Sequence, residues 1–467
     1  MNCNGITAEM IRAKKEEIFK LFRPASILSF SSNHDEEGVL VLQGPKTSSK
    51  GDTQHNELDR KPFDAMVEML SLPATKAIYF VARLVGGKSL IRELGSSLHI
   101  AAANGQTSVV KVLLDRGANI DAPGDDRWTA LHYAARLAHI DVVKVLLDRG
   151  ATIDAVGGDG TALHHAAMEG HIKVVNVLLD RGANVDATND NRWTALHHAA
   201  MKGHIEVLKV LLDRGANVDA TYDNKQTGSR WTALHQASRG GHVEAVKVLL
   251  DRGATIDART YTRLEYSSLF GEARDGYISA PEWYDSKSNN ETALHHAARE
   301  GYVEVVTLLL DRGATIDAST HHGHNWTALH QAVRKGHVEI MGLLLDRGAT
   351  IDVTNDQGQT ALHMACKFQW RASTINVAIV TALLERGACT IIDVADKIWG
   401  DTALHYAARY GWSHSGYEIV QLLLDNGANT DGKNTAGETA LDIARQWGWE
   451  RVVTLLTPTV HIDKIAD

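Results

Sequence analysis

The sequence contains few cysteines, and their number and spacing exclude two common kinds of site. Only Cys3, Cys366 and Cys389 occur among 467 residues. An odd number at irregular intervals fits neither a disulfide framework nor the paired spacing of a zinc site. No apolar run is long enough to cross a membrane, and charged residues interrupt the apolar positions of 11–22, unlike a signal sequence. We therefore expect an intracellular protein, in the nucleus or the cytoplasm, that makes no membrane contact.

Positive charge is also in short supply. The 48 lysine and arginine residues are outnumbered by 57 aspartate and glutamate residues, which gives a formal net charge of −9. A protein that binds nucleic acid through its phosphates is usually basic, so we expect no direct nucleic-acid contact. Apolar residues, at 44% of the chain, are plentiful enough to form a sizeable core.

What the chain has in abundance is an internal repeat. The tetrapeptide Thr-Ala-Leu-His occurs eight times, with the tightest steps at 32 or 33 residues, and Leu-Leu-Asp-Arg-Gly-Ala recurs after most copies. A degenerate copy at 97–99 precedes them and a last copy at 439–442 follows. A period of this size is typical of stacked supersecondary units. The eight copies begin at Thr129, Thr161, Thr194, Thr232, Thr292, Thr327, Thr360 and Thr402.

One unit shows how such a repeat folds. Thr161 can cap a short helix by accepting a hydrogen bond from a free amide, and Gly170 can end that helix in the left-handed conformation. A second helix with mostly apolar residues follows over 172–180, and Gly182 ends it. Residues 184–191 are rich in Asn and Asp, as a tight turn requires. Such a pair cannot bury its own apolar face, so the units must stack.

These motifs resemble the ankyrin-repeat family, whose units read roughly T-P-L-H-x-A-A-x-x-G-H-…-L-L-x-x-G-A. The resemblance covers about 95–456 and departs mainly by placing Ala where the family usually has Pro. It implies an all-α solenoid of about ten stacked helix-turn-helix units joined by β-turn loops. It also implies a scaffold that binds other proteins and is not an enzyme.

The remaining segments complete the predicted domain organisation. Residues 1–62 stay unassigned and include a polar, flexible linker. Residues 63–94 have helical periodicity and are expected to cover the N-terminal end of 95–456, and 457–467 form a tail. An insertion at 259–290 is rich in aromatic and acidic residues. It either lies on a binding face or folds back on its own protein.

The sequence offers two candidates for chemistry, metal binding by its histidines and nucleotide binding near its N-terminus. Neither is adopted, so no catalytic, cofactor or metal residue is assigned. The chain has 24 histidines, most of them at repeated positions, and the family resemblance implies that the Thr-Ala-Leu-His histidine hydrogen-bonds within and between turns. Residues 82–89 resemble a relaxed phosphate-binding loop. The first repeat begins too soon after it for a nucleotide-binding sheet. An enzyme or nucleotide-binding segment near the N-terminus is the alternative of another class.

Residues that the repeat leaves free to vary are the predicted partner-binding surface. The resemblance makes the turn tips and first helices concave, and Trp and Arg recur there. Both residue types dominate interface hot spots. Their basic character favours an acidic or helical segment of a protein partner. The alternative is that Trp shields the turn and Arg is a solvated face. The candidates are Arg127, Trp128, Arg136, Met168, Arg192, Trp193, Met201, Lys202, Arg230, Trp231, Arg239, Arg299, Trp326 and Arg334.

A more specific role is suggested by two methionines. Met168 and Met201 follow the Ala-Ala pair in consecutive repeats, which resembles a nuclear-import signal proposed for ankyrin proteins. A monomeric transcription coregulator that binds a transcription factor is therefore our preferred role. A cytosolic adaptor or substrate-recruiting signalling protein is the alternative.

Overall fold

The computed structural model describes residues 29–31, 41–43, 97–223, 229–262, 290–320, 325–367, 373–411 and 414–457. The predicted helical cap at 63–94, the loop at 82–89 and most of the insertion at 259–290 lie outside these ranges. Almost all of the predicted tail lies outside them too. In the N-terminal region two short strands, β1 (Ser29–Ser31) and β2 (Val41–Gln43), pair antiparallel. The predicted domain boundaries stay predictions.

The chain divides into two compact units, residues 1–190 and 191–467. In the first unit, helix pairs follow one another, and α1 denotes the helical residues 97–103. A 3₁₀ turn, η1 (Asp125–Arg127), precedes the second pair. The other helices of this unit are α2 (Thr107–Asp115), α3 (Ala130–Arg136), α4 (Ile140–Asp148), α5 (Ala162–Met168) and α6 (Ile172–Asp180).

The second unit contains seven further helix pairs among its described residues. A 3₁₀ turn, η2 (Ala388–Ile391), lies between the fifth and sixth of these pairs. The helices are α7 (Ala195–Lys202), α8 (Ile205–Asp213), α9 (Ala233–Arg239), α10 (Val243–Asp251), α11 (Ala293–Glu300), α12 (Val303–Asp311), α13 (Ala328–Lys335), α14 (Val338–Asp346), α15 (Ala361–Lys367), α16 (Ser373–Glu385), α17 (Ala403–Arg409), α18 (His414–Asp425), α19 (Ala440–Trp447) and α20 (Glu450–Leu456).

Odd-numbered helices are the first helices of the repeats and even-numbered helices are the second. Within each unit, the helices of every pair from α3 and α4 onwards pack on each other and on the corresponding helices of the next repeat, and α2 packs on α4. The predicted all-α solenoid of stacked helix-turn-helix units is thus confirmed. Within the described part of the second unit, the turns of two repeats add a small antiparallel sheet, β3 (Tyr222–Asp223), β4 (Ser229–Trp231) and β5 (Tyr261–Thr262).

The first helices begin at a threonine that a histidine holds in place. The backbone N–H of Thr161 donates to Nδ1 of His164 across 3.1 Å, and the Thr161 side chain in turn bonds the third backbone N–H of the helix. This reciprocal capping satisfies groups that a helix start leaves without intrahelical partners. Gly170 and Gly182 follow the two helices with φ of 76° and 87°. They are the predicted left-handed stops.

Between repeats, two rows of carboxylates fix the stacking register. The Asp of one Leu-Leu-Asp-Arg block binds the Arg of the next, as in Arg149 to Asp115 at 2.7 Å and Arg312 to Asp251 at 2.8 Å. Asp257 accepts from the backbone N–H of Thr315 at 3.1 Å and from its hydroxyl at 2.6 Å. These groups are exposed, and exposed pairs contribute little stability, roughly 0–1 kcal/mol each. Their recurrence favours one alignment of neighbours.

Candidate binding surface

Two positions at the ends of the first helix contact each other in five of the described repeats. We call the residue directly before the capping threonine the platform residue, and the residue seven places after that threonine the facing residue. The platform residue precedes the start of the first helix, and the facing residue lies in its last turn. In order, the platform residues are Trp128, Gly160, Trp193, Trp231, Glu291, Trp326, Gln359, Asp401 and Glu438. The facing residues are Arg136, Met168, Met201, Arg239, Arg299, Arg334, Lys367, Arg409 and Gln446.

Where the platform residue is tryptophan, an arginine stacks over it in three repeats. The guanidinium carbon of Arg136 lies 5.3 Å from the centre of the Trp128 ring. The matching distances are 5.4 Å for Arg239 over Trp231 and 4.9 Å for Arg334 over Trp326. An arginine over an indole face is held by cation–π attraction, about 0.5–2 kcal/mol. The structure thus brings six of the predicted site residues together as three pairs.

Where an acidic platform residue has an arginine as its facing residue, the two form an ion pair instead. Nη1 of Arg299 lies 2.7 and 2.9 Å from the two carboxylate oxygens of Glu291. Arg409 binds the buried carboxylate of Asp401 at 2.8 Å. Glu291 and Asp401 were not predicted as partners of these arginines, because the signal lies in pairs of positions rather than in single ones. Aligning the platform and facing positions repeat by repeat would have found them.

The tryptophans themselves offer less surface than the sequence suggested. Trp128 and Trp231 are only 7% and 6% exposed. Their rings pack against His165 and His296, the histidines that directly follow Thr-Ala-Leu-His in the next repeat, at 4.2 and 4.3 Å. The expectation that these two indoles contact a partner directly is therefore corrected. Each ring is buried and packs against the arginine that covers it. Trp193 and Trp326 are half-buried.

The other predicted residues are distributed between the turn tips and the helix ends. Arg127, Arg192 and Arg230 are exposed at the turns, and Lys202 is exposed at the end of α7. Arg127 also binds Asp190 at 3.1 Å. The half-buried residues of the set include Met168, Met201, Arg299 and Arg334. Arg136 keeps 46% of its side chain exposed. Whether these residues contact a partner stays a prediction.

The histidines of Thr-Ala-Leu-His are part of the framework, as the family resemblance implied. Nδ1 of His295 accepts from the Thr292 N–H at 3.2 Å, so Nε2 carries the proton and donates to the Trp326 carbonyl at 2.9 Å. Burial lowers the pKa of His235, His295 and His330 to about 4 each. These imidazoles are therefore neutral near pH 7. In the described ranges, no three metal-ligating side chains cluster, and no helix is long and apolar enough to span a membrane.

A network around Tyr406 extends the surface in the C-terminal repeats. The Tyr406 hydroxyl accepts from Gln359 at 2.7 Å and donates to the Asp396 carboxylate at 2.6 Å. The pKa of Tyr406 is raised by burial and by its bond to Asp396. Lys367 Nζ and the Arg409 guanidinium carbon each lie 5.9 Å from the centre of the Tyr406 ring. Two cations thus contact one fixed aromatic ring.

Comparison with known proteins decides the family. The family model described as "Ankyrin repeats (3 copies)" matches residues 79–157, 154–222, 315–393 and 370–466, more than half of the chain. The chain belongs to the ankyrin-repeat family. Models for many copies and for a single ankyrin repeat match 196–250 and 289–321. Ankyrin repeats are a protein-interaction fold, so this chain is a protein-binding scaffold.

Individual relatives match over short segments. Human NAD-capped RNA hydrolase NUDT12 is 36% identical over 90 residues, 19% of this chain and 18% of that protein. Human ankyrin repeat and SOCS box protein 11 is 41% identical over 85 residues, 18% and 22% of the two chains. Human palmitoyltransferase ZDHHC17 is 44% identical over 157 residues, 34% and 23%. The chain thus spans about a fifth of the length of these relatives. The solved ankyrin repeat domain of human ASB11 is 30% identical, with a TM-score of 0.42 over 54% of this chain and 98% of that one.

Proposed function

We propose that the facing residues of the second unit bind an acidic segment of a partner protein. The observation that carries this is the stacking of Arg239 and Arg334 over Trp231 and Trp326. A guanidinium held in place loses less freedom on binding, and its planar fork matches a carboxylate. Cations occupy the facing position in five successive repeats: Arg239, Arg299, Arg334, Lys367 and Arg409. Arg299 and Arg409 already pair with the carboxylates of Glu291 and Asp401, so the arginines that stack on tryptophan carry the proposal. The exposed turn residues Arg127, Arg192 and Arg230 fit the same preference for an anionic partner.

The test is binding of the full chain to a short fluorescein-labelled glutamate-rich peptide, followed by anisotropy. We expect Arg239→Met with Arg334→Met to weaken binding about tenfold, since each removes a positioned charge but keeps the apolar stem. The matched control is Lys209→Met with Lys247→Met on the second helices, which should stay within about twofold of the parent. Equal losses in both double variants would show general electrostatic attraction and contradict the proposal.

We further propose that this binding serves transcription coregulation in the nucleus. The support is the pair Met168 and Met201, both partly exposed at the facing position of consecutive repeats. Replacing both by Asp should move tagged protein from the nuclear to the cytosolic fraction while Leu replacements do not, as measured by fractionation. A parent protein confined to the cytosol would contradict the nuclear role and favour the adaptor alternative.

A further inference from the structure

The C-terminal repeats of the second unit carry a more specific site than the facing residues alone. Its centre is the Tyr406 ring, which Lys367 and Arg409 both contact. Arg409 is held by the Asp401 carboxylate, and Asn434 Nδ2 donates to the same carboxylate at 3.0 Å. The ring is held at its hydroxyl by Gln359 and Asp396. The cations are therefore positioned before any ligand arrives.

Lys367 and Arg409 bring two cations of adjacent repeats to one ring, beside the carboxylates of Asp396 and Asp401. Burial is the main reason that the pKa of Lys367 is lowered; Asp396 counters it, while Arg409 and Arg334 add to it. Burial is thus the largest cost of the Lys367 charge, and Asp396 is the largest charge that offsets it. A partner carboxylate between Lys367 and Arg409 would add charge-assisted hydrogen bonds to both cations.

The carboxylate that fixes Tyr406 also builds an exposed apolar tip. Asp396 Oδ1 accepts from the backbone N–H groups of Ile398, Trp399 and Gly400 at 3.1, 2.7 and 3.0 Å. The resulting turn leaves the Ile398 and Trp399 residues 49% and 52% exposed. Exposed large apolar side chains on a fixed support are typical of interface anchors, and tryptophan is the most enriched of them.

Neighbouring turns hold this tip on both sides. The Lys397 N–H donates to the Gln357 carbonyl at 2.8 Å, and the Thr435 N–H donates to the Trp399 carbonyl at 2.8 Å. The position of Trp399, three residues before the capping threonine, is occupied by polar or small residues in the other repeats, such as Asp126, Gly158 and Ala436. The tip is therefore both rigid and particular to this repeat.

We infer that Lys367, Arg409 and the Ile398–Trp399 tip together bind a segment of a partner protein that carries a carboxylate beside a large apolar side chain. The cations at Tyr406 would take the carboxylate, and the tip would take the apolar group. A single-stranded nucleic acid fits less well, because exposed Asp356 directly precedes Gln357, whose carbonyl holds the tip, and would repel a phosphate backbone. This inference rests on the proposed function and specifies which acidic segments the protein would select.

The experiment measures the binding of three peptides to the full chain, to two test variants and to two control variants. The parent peptide alternates glutamate and leucine. In one derivative Gln replaces each Glu, and in the other Ala replaces each Leu. We expect the parent protein to prefer the parent peptide over each derivative by about tenfold. Lys367→Met should abolish the preference for Glu over Gln, and Trp399→Ala should abolish the preference for Leu over Ala. Lys367→Arg and Lys247→Met should keep both.

The outcomes separate this site from the wider surface. If the parent protein prefers Glu over Gln but Lys367→Met and Trp399→Ala keep both preferences, the site is wrong while the proposed function stands. If the parent protein binds Glu and Gln peptides alike, both are wrong. If an oligouridylate competes better than the parent peptide, the partner class is wrong. Equal melting temperatures of the variants, by circular dichroism, show that folding is unchanged.

Discussion

Lowering the pH from about 6.5 to about 4 is expected to unfold the repeats of the second unit. Burial lowers the pKa of His235, His295 and His330 to about 4 each, while an unfolded histidine has a pKa near 6.5. Over this pH range the unfolded chain therefore binds protons that the folded chain does not bind. The stability that neutral histidines supply is complete above about pH 6.5 and is lost as the pH falls towards 4.

The size of the effect follows from the shifts. Each of these pKa changes corresponds to about 3 kcal/mol, and the three together approach the roughly 5–15 kcal/mol that stabilises a typical domain. The cause is local. Protonation of His295 at Nδ1 would lose the bond from the Thr292 N–H and bury a charge in the stack.

The measurement is an acid titration followed by far-ultraviolet circular dichroism, with urea denaturation at several pH values. The dependence of the unfolding free energy on pH counts the protons taken up. His295→Asn keeps an acceptor for the Thr292 N–H but cannot titrate, so it should take up about one proton fewer between pH 6.5 and 4. An unchanged proton count in this variant, or a parent chain that stays folded at pH 4, would contradict the role of buried histidine.

The framework of the fold could be predicted from the sequence because the same capping and helix-ending residues recur from repeat to repeat. The threonine, the histidine and the two glycines occupy positions where only a few residue types suit the backbone, and Thr161, Gly170 and Gly182 behave as predicted. Asp442 stands where the other copies have histidine, and it fills the same role, since its carboxylate accepts from the Thr439 N–H at 3.0 Å. Local chemistry repeated at a fixed period is sufficient for that prediction.

The candidate surface was predicted less well because its geometry depends on pairs of residues. Whether Trp231 is a contact or a support depends on His296, which lies far along the chain and packs on its ring. Arg299 was predicted as a partner contact, but the Glu291 carboxylate is its neighbour in the fold. Trp399 carries no signal of its own, since only the turn that Asp396 closes makes it a rigid exposed tip. Composition at single positions cannot distinguish these cases.

Arg299→Met is expected to destabilise the second unit by about 3–5 kcal/mol, the cost of breaking a buried ion pair. The Glu291 carboxylate is buried, and in the parent protein it also accepts from Gln331 Nε2 at 3.0 Å. His296 lies beside it, with Nε2 3.6 Å from Glu291 Oε2, but burial and the nearby Arg299 hold the pKa of His296 well below its ordinary value. Burial is the largest cause of that low pKa and persists in the variant, so His296 replaces little of the lost guanidinium charge.

The matched control is Arg136→Met, which changes the same facing position where the platform residue is Trp128 and the side chain is 46% exposed. It should cost no more than about 1 kcal/mol, the size of an exposed cation–π contact. Adding Glu291→Gln to Arg299→Met should restore most of the loss, because no charge is then left buried. Urea denaturation gives the three free energies. Equal costs for Arg299→Met and Arg136→Met would mean that Glu291 is solvated rather than held by its arginine, and the pairing of acidic platforms with facing arginines would lose its energetic basis.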